Sequence, residues 1–140
     1  MSSGVSLTNH FHTGRRLVRF EDCDPAGIIF FANYFRYAQA AIAEFFNEKG
    51  EFTEFYNGAE LVYPVISTSA EFKKMVRLGD LLDVFISVSQ MKESSFELFF
   101  QFFLDGNKTA ELKIAHVCIS KATGAKQKLP EFLTKLSSKI

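Results

Sequence analysis

Residues 20–34 read Phe20-Glu21-Asp22-Cys23-Asp24-Pro25-Ala26-Gly27-Ile28-Ile29-Phe30-Phe31-Ala32-Asn33-Tyr34. Two acids stand one residue apart, with Pro25 and Gly27 close behind. Proline fixes its own φ and biases the residue before it out of the α region, while glycine admits positive φ, so the segment predicts a turn. An apolar run then leads into a helical period starting near Asn33. The stretch therefore predicts a strand that ends in an acidic turn just before a helix N-terminus. Such a turn sets a carboxylate beside backbone N–H groups that lack intrahelical partners.

Downstream, the best helical pattern of the chain spans Asn33 to Lys49. Tyr34, Tyr37, Ala38, Ala41, Ile42, Phe45 and Phe46 recur at helical spacing, with Asn33 as N-cap and Gly50 as the C-terminal stop. Phe35, Ala40 and Ala43 make the opposite side apolar as well, which predicts a helix wrapped by its surroundings. Residues 51–60 suggest a short helical turn or loop. Four strands follow: Leu61–Met75, Leu82–Met91, a Phe-rich strand through Phe96 and Leu104, and Glu111–Lys121. Asp105-Gly106-Asn107 marks a hairpin, and Leu129–Lys139 predicts a terminal helix with Pro130 near its first position. Upstream, Arg15–Glu21 fits a first strand and residues 1–14 a loose arm. The domain assignment is thus an arm at 1–14 and one α+β domain at 15–140, an antiparallel sheet curled around one long helix. Phe99 and Phe103 fall on the sheet face away from that helix, so a second subunit is expected to cover them.

Composition narrows the class. The 140 residues suit one domain, and 16 basic against 16 acidic residues give no general attraction to nucleic acid or anionic membrane. No run is long enough to span a bilayer, and the N-terminus has neither a basic nor an apolar leader region. Cys23 and Cys118 do not have metal-ligand spacing and read as free thiols of a reducing compartment, so a cytoplasmic protein is expected. No metal and no cofactor are expected. A carboxylate beside a donor that polarises an electrophile is half of a hydrolase site.

These residues carry a resemblance. The acid-x-Asp-x-x-Gly turn, the aromatic pair Phe30-Phe31 and Asn33-Tyr34 at the helix start resemble the active-site signature of the 4-hydroxybenzoyl-CoA thioesterase family. The turn Arg77-Leu78-Gly79-Asp80 and the element order over residues 15–121 are similar too. The resemblance implies the hotdog fold and hydrolysis of an acyl-CoA thioester, aromatic or short-chain, with coenzyme A as part of the substrate. It implies Asp24 as nucleophile or general base, the Gly27 turn and the Phe31 backbone N–H as the rest of the catalytic set, and Tyr34, Gln39, Lys92 and Ser95 as substrate contacts. Gln39 stands where a helix carboxylate meets the ring hydroxyl in members acting on 4-hydroxybenzoyl groups; an amide there suits another aromatic acyl group. The CoA phosphates fall to Lys92, with Lys73, Lys74 and Arg77 as further candidates. The family assembles homodimers or homotetramers with sites at subunit interfaces. Alternatives are a Tol–Pal-associated type of short-chain or fatty acyl-CoA thioesterase, a hotdog hydratase or dehydratase built on His116, and a non-catalytic acyl-CoA binder. Asp22 reads as a structural acceptor in the turn.

Overall fold

The computed structural model describes residues 9–138. The period of helix α1, Asn33–Glu48, is realised as read: Tyr34, Tyr37, Ala38, Ala41, Ile42, Phe45 and Phe46 are its buried residues. At 1.5 Å per residue the helix runs about 24 Å. Gly50 ends it at φ +73°, and the Glu51 N–H returns to the Phe46 carbonyl at 2.8 Å. At the other end Asn33 is the first helical residue and not the cap; its side chain is spent on the acidic turn. Phe35, Gln39, Ala40 and Ala43 are only half-buried, so the sheet covers one side of the helix and not its whole girth.

That sheet has five antiparallel strands in the order β1-β4-β5-β6-β3: β1 His12–Leu17, β3 Val65–Phe72, β4 Leu81–Met91, β5 Ser95–Leu104 and β6 Asn107–Val117. Leu82, Val84 and Ile86 of β4 and Phe96, Leu98, Phe100 and Phe102 of β5 face α1 and are buried. This is the expected α+β hotdog architecture, with the helix lying in the curl of the sheet.

Several limits differ from the sequence reading. β1 starts inside the stretch expected to be a loose arm and stops before Glu21; Phe20–Asp22 form a 3-10 turn instead. Its half-buried positions are His12, Gly14 and Arg16, so hydrophobic alternation could not mark it. Residues 1–8 of the predicted arm lie outside the described residues. Pro64 splits the run predicted as Leu61–Met75, because proline has no N–H for the ladder. The piece before it, β2 Leu61–Val62, pairs instead with β7 Ile119–Ser120. Phe52–Tyr56 form α2. The terminal helix is short, α3 Glu131–Thr134, and continues as a 3-10 segment to Ser138, with Pro130 at the cap position. Predicted Lys139 lies outside the described residues.

The outer face of β5 also corrects an expectation. The register shifts between Phe102 and Phe103, and Phe103 is 5% exposed, edge-on to Phe85 at 5.6 Å. Lys108 and Lys113 lie 5.6 and 5.8 Å from the Phe99 ring. Phe103 thus needs no second subunit for its burial. The exposed apolar side chains gather elsewhere, at Phe20, Phe30, Phe31, Met75 and Leu78 around the acidic turn and at Val65, Ile66 and Phe72 on edge strand β3.

Candidate active site

The acidic turn is closed by its own backbone. The Gly27 N–H donates to the Asp24 carbonyl and the Asp24 N–H to the Ile28 carbonyl, both at 2.9 Å, with Gly27 at φ +79°. The returning limb is fastened to residues 76–78: Ile29 N–H donates to the Val76 carbonyl at 2.9 Å and Leu78 N–H to the Gly27 carbonyl at 3.3 Å. Asp24 is half-buried, and its Oδ1 accepts the Ala26 N–H at 2.8 Å in an Asx turn. Its Oδ2 has no hydrogen-bond partner among the described residues. One carboxylate oxygen is therefore tied down and the other is available.

Beyond the turn, the Phe30 N–H donates to the Asp22 carbonyl at 2.9 Å, and those of Asn33, Tyr34 and Phe35 donate three residues back. The N–H groups of Phe31 and Ala32 have no acceptor among the described residues. Unpaired donors at the positive end of a helix are a place for an oxygen that gains negative charge.

Next to both lies a groove of about 300 Å³, walled by Ile28, Phe31, Tyr34, Phe72 and Met75, with Lys73 and Lys74 on its side. Phe72 meets Phe31 at 5.8 Å and Tyr34 at 5.6 Å, so the wall is largely aromatic. The Tyr34 hydroxyl donates to Thr109 Oγ1 at 3.1 Å, and that hydroxyl donates to the Phe102 carbonyl at 3.3 Å. Burial also raises the Tyr34 pKa, so Tyr34 offers the groove a neutral ring and not an acid. The Asp24 side chain is not among the groove-lining residues; its turn adjoins the groove through Ile28.

Asp22 differs from its neighbour. It is 3% exposed and accepts the Tyr37 hydroxyl at 2.7 Å, Arg36 Nη1 at 2.8 Å and the Arg19 N–H at 3.2 Å. Burial pushes its pKa up, but these hydrogen bonds and the Arg36 charge outweigh it and hold the carboxyl below its usual range. The same contact, with burial first, pushes the Tyr37 hydroxyl far up. Burial and the flanking acids raise the Cys23 pKa, which leaves a thiol and no nucleophile.

The other sequence candidates are not brought to this place within one chain. Gln39 lies half-buried along α1 outside the groove wall. Lys92 and Ser95 form the β4–β5 hairpin, where the Lys92 N–H donates to the Ser95 carbonyl at 2.8 Å. Ser95 pairs with Val117, whereas the groove lies level with Phe102, Ala110 and Phe72. Seven residues of β5 separate the two ends, roughly 24 Å. Arg77 bridges to Ile28, and Lys73 is paired with Glu71 at 3.0 Å. His116 sits at the far end of β6, 4% exposed, with Nδ1 2.9 Å from the Tyr63 carbonyl and its ring stacked on Phe96. Sequence reasoning missed Phe72 and Met75, which close the groove, and nothing in the local apolar pattern of residues 65–75 singles them out.

Comparison with known proteins agrees with this architecture. The thioesterase-like superfamily matches residues 18–136. A 1,4-dihydroxy-2-naphthoyl-CoA hydrolase of Prochlorococcus marinus strain MIT 9515 is 32% identical over 125 residues, covering 85% of this chain and 83% of that one. A solved structure from Prochlorococcus marinus strain MIT 9313 has a TM-score of 0.85 at 25% identity, covering 96% of this chain and 99% of that one. A 1,4-dihydroxy-2-naphthoyl-CoA thioesterase from Synechocystis shares the fold with a TM-score of 0.82 at 20% identity, covering 90% and 94%. Neither named relative is a 4-hydroxybenzoyl-CoA enzyme, so the expectation holds for the wider family and not for that substrate. With 119 of its 140 residues inside the match and the helix-in-sheet architecture in common, the chain belongs to the thioesterase-like superfamily of hotdog proteins.

Proposed function

We propose that this chain hydrolyses acyl-CoA thioesters with a flat aromatic acyl group, 1,4-dihydroxy-2-naphthoyl-CoA being the first to test. The observation that carries the reading is one free carboxylate oxygen on Asp24, in the turn that adjoins an aromatic-walled groove through Ile28, and the unpaired N–H of Phe31, which lines that groove. In this reading the acyl group lies between Phe31, Tyr34 and Phe72, and its thioester carbonyl oxygen points at the Phe31 N–H. Asp24 Oδ2 then adds to the carbonyl carbon, the carbon–sulfur bond breaks and the coenzyme A thiolate leaves, and water cleaves the resulting anhydride. Alternatively Asp24 takes a proton from the attacking water directly. Gly27 lets the turn reverse tightly enough to hold Asp24 beside the helix start. A thiolate leaves without strong acid assistance, so one carboxylate and one oxyanion donor suffice, and the reaction calls on no cofactor besides the coenzyme A of the substrate.

The reading includes a second copy of the chain. β3 is an uncharged edge from Val65 to Ala70 with every residue but Ala70 exposed, whereas the other edge, β1, carries Arg15 and Arg16. Charge protects a strand edge and its lack invites pairing. Two copies related by a two-fold axis perpendicular to this edge pair antiparallel, which turns the Lys92–Ser95 hairpin of the partner subunit toward this chain's groove. Lys92 then serves the CoA phosphates, together with Lys74 on the groove itself, and Gln39 of the partner faces the acyl ring.

The test is release of free thiol by purified protein from a panel of aryl-, short-chain and long-chain acyl-CoAs, with Asp24→Asn in parallel. Preference for aryl substrates and a fall of about a hundredfold to ten-thousandfold in the folded variant are expected. Preference for short or fatty chains would move the chain to the Tol–Pal-associated type. Saturable binding without thiol release would make it a binder, and near-normal turnover by Asp24→Asn would remove the residue's role.

A further inference from the structure

The polar contacts around the helix start converge on a residue that the proposed chemistry leaves unused. Asp22 sends bonds in two directions. Its carboxylate is held by Tyr37 and Arg36, from the first turns of α1. Its backbone carbonyl accepts both the Phe30 N–H at 2.9 Å and Asn33 Nδ2 at 2.8 Å, and Arg36 Nη1 closes the loop to Asn33 Oδ1 at 2.9 Å. The two residues that bracket Phe31 and Ala32 are thus both bonded to one peptide carbonyl. Asp24, two residues on, shares the same short backbone.

A buried carboxylate costs stability unless it is fully partnered, and here two partners belong to the helix that follows Phe31 and the third is the Arg19 N–H at the start of the 3-10 turn leading to Asp24. We propose that Asp22 is a positioning residue whose charged side chain, gripped by Tyr37 and Arg36, sets the distance between the Asp24 carboxylate and the Phe31 N–H. Asp22 also borders a second groove of about 200 Å³, lined with it by Arg16, Arg19, Glu21, Arg36 and Tyr37. Those side chains and Cys23 are the charged and titratable groups that face it. The kinetic consequence rests on the hydrolase reading; the geometric one does not.

The experiment pairs Asp22→Asn with Tyr37→Phe. Tyr37→Phe keeps the Arg36 and Arg19 contacts and so keeps a folded protein if Asp22→Asn loses it. For each, kcat and KM are measured on the best thioester of the panel, and amide hydrogen exchange is followed at Phe30 and Tyr34. Misplacing reacting groups costs up to about a hundredfold in rate. The expected result is that order of loss in kcat for Asp22→Asn and about tenfold for Tyr37→Phe, with KM little changed because the groove walls are intact. Exchange at both amides should quicken in each variant. A folded Tyr37→Phe protein with kcat within about twofold of the parent overturns the proposal. If the parent hydrolyses nothing in the panel, the hydrolase reading fails on its own, and unchanged exchange at Phe30 and Tyr34 in Tyr37→Phe then overturns the clamp separately.

Discussion

Asp22 and Asp24 show how two like residues, one position apart, acquire opposite tasks from their surroundings. One is sealed in with three donors, and the other keeps an oxygen free in the turn beside a groove. His116 is a second buried ionisable residue with a measurable consequence. Burial lowers its pKa from 6.5 and the Tyr63 carbonyl contact opposes this only in part. That contact requires the hydrogen on Nδ1, so the neutral ring leaves Nε2 bare. The unfolded chain takes up this proton as pH falls through about 6.5 while the folded chain does not, so stability drops from there toward the depressed folded value. His12, lowered first by desolvation, acts with the same sign, whereas Asp22 loses its contribution only below the usual carboxylate pKa of 3.8. Melting temperature should fall between about pH 7 and pH 5, at no more than about 1.4 kcal/mol per pH unit for His116. His116→Asn, which can still donate to the Tyr63 carbonyl, should flatten that slope. An unchanged slope would show that other groups set the acid limit.

At the scale of elements, α1 carries the core on its 3.6-residue period, and its seven inward residues were legible because they keep that period unbroken from Tyr34 to Phe46, although Phe35, Ala40 and Ala43 make the opposite side apolar too. Phe46 is the best probe of this packing, fully buried and stacked on Phe55 at 4.4 Å. Phe46→Ala should cost about 3–5 kcal/mol in urea unfolding, by lost transfer energy and the cavity left behind. A loss under about 1 kcal/mol would mean that the ring is not core. Strand limits were less legible, for physical reasons. β1 turns His12, Gly14 and Arg16 inward, so pairing with β4 and not hydrophobicity sets its register. The candidate site was half legible: the motif at 20–34 marks the carboxylate and the helix start. Phe72 and Met75 become a wall only when β3 ends beside α1, which no local pattern records. Lys92 and Ser95 are close to the motif in no one-chain sense, since the sheet holds them at its opposite end.

For the whole molecule, the exposed β3 edge is where the proposed function sets the second copy. Thr68 stands near the strand midpoint, so a two-fold axis there sets it close to its own copy. Thr68→Lys should oppose like charges across that axis, reduce the mass seen by light scattering to one chain and lower thiol release with it. A variant that keeps the parental mass would place the interface elsewhere. The far end of the core has a different guardian. Leu129, Leu133 and Leu136 are at most 4% exposed, and Phe132 packs edge-on to Phe46 and Tyr63, where α1 finishes. Residues 129–136 are thus a stopper seated in the open mouth of the sheet. Deleting residues from 129 onward should unplug it, giving a protein that binds hydrophobic dye and melts early, so a trimmed domain is no substitute for the full chain.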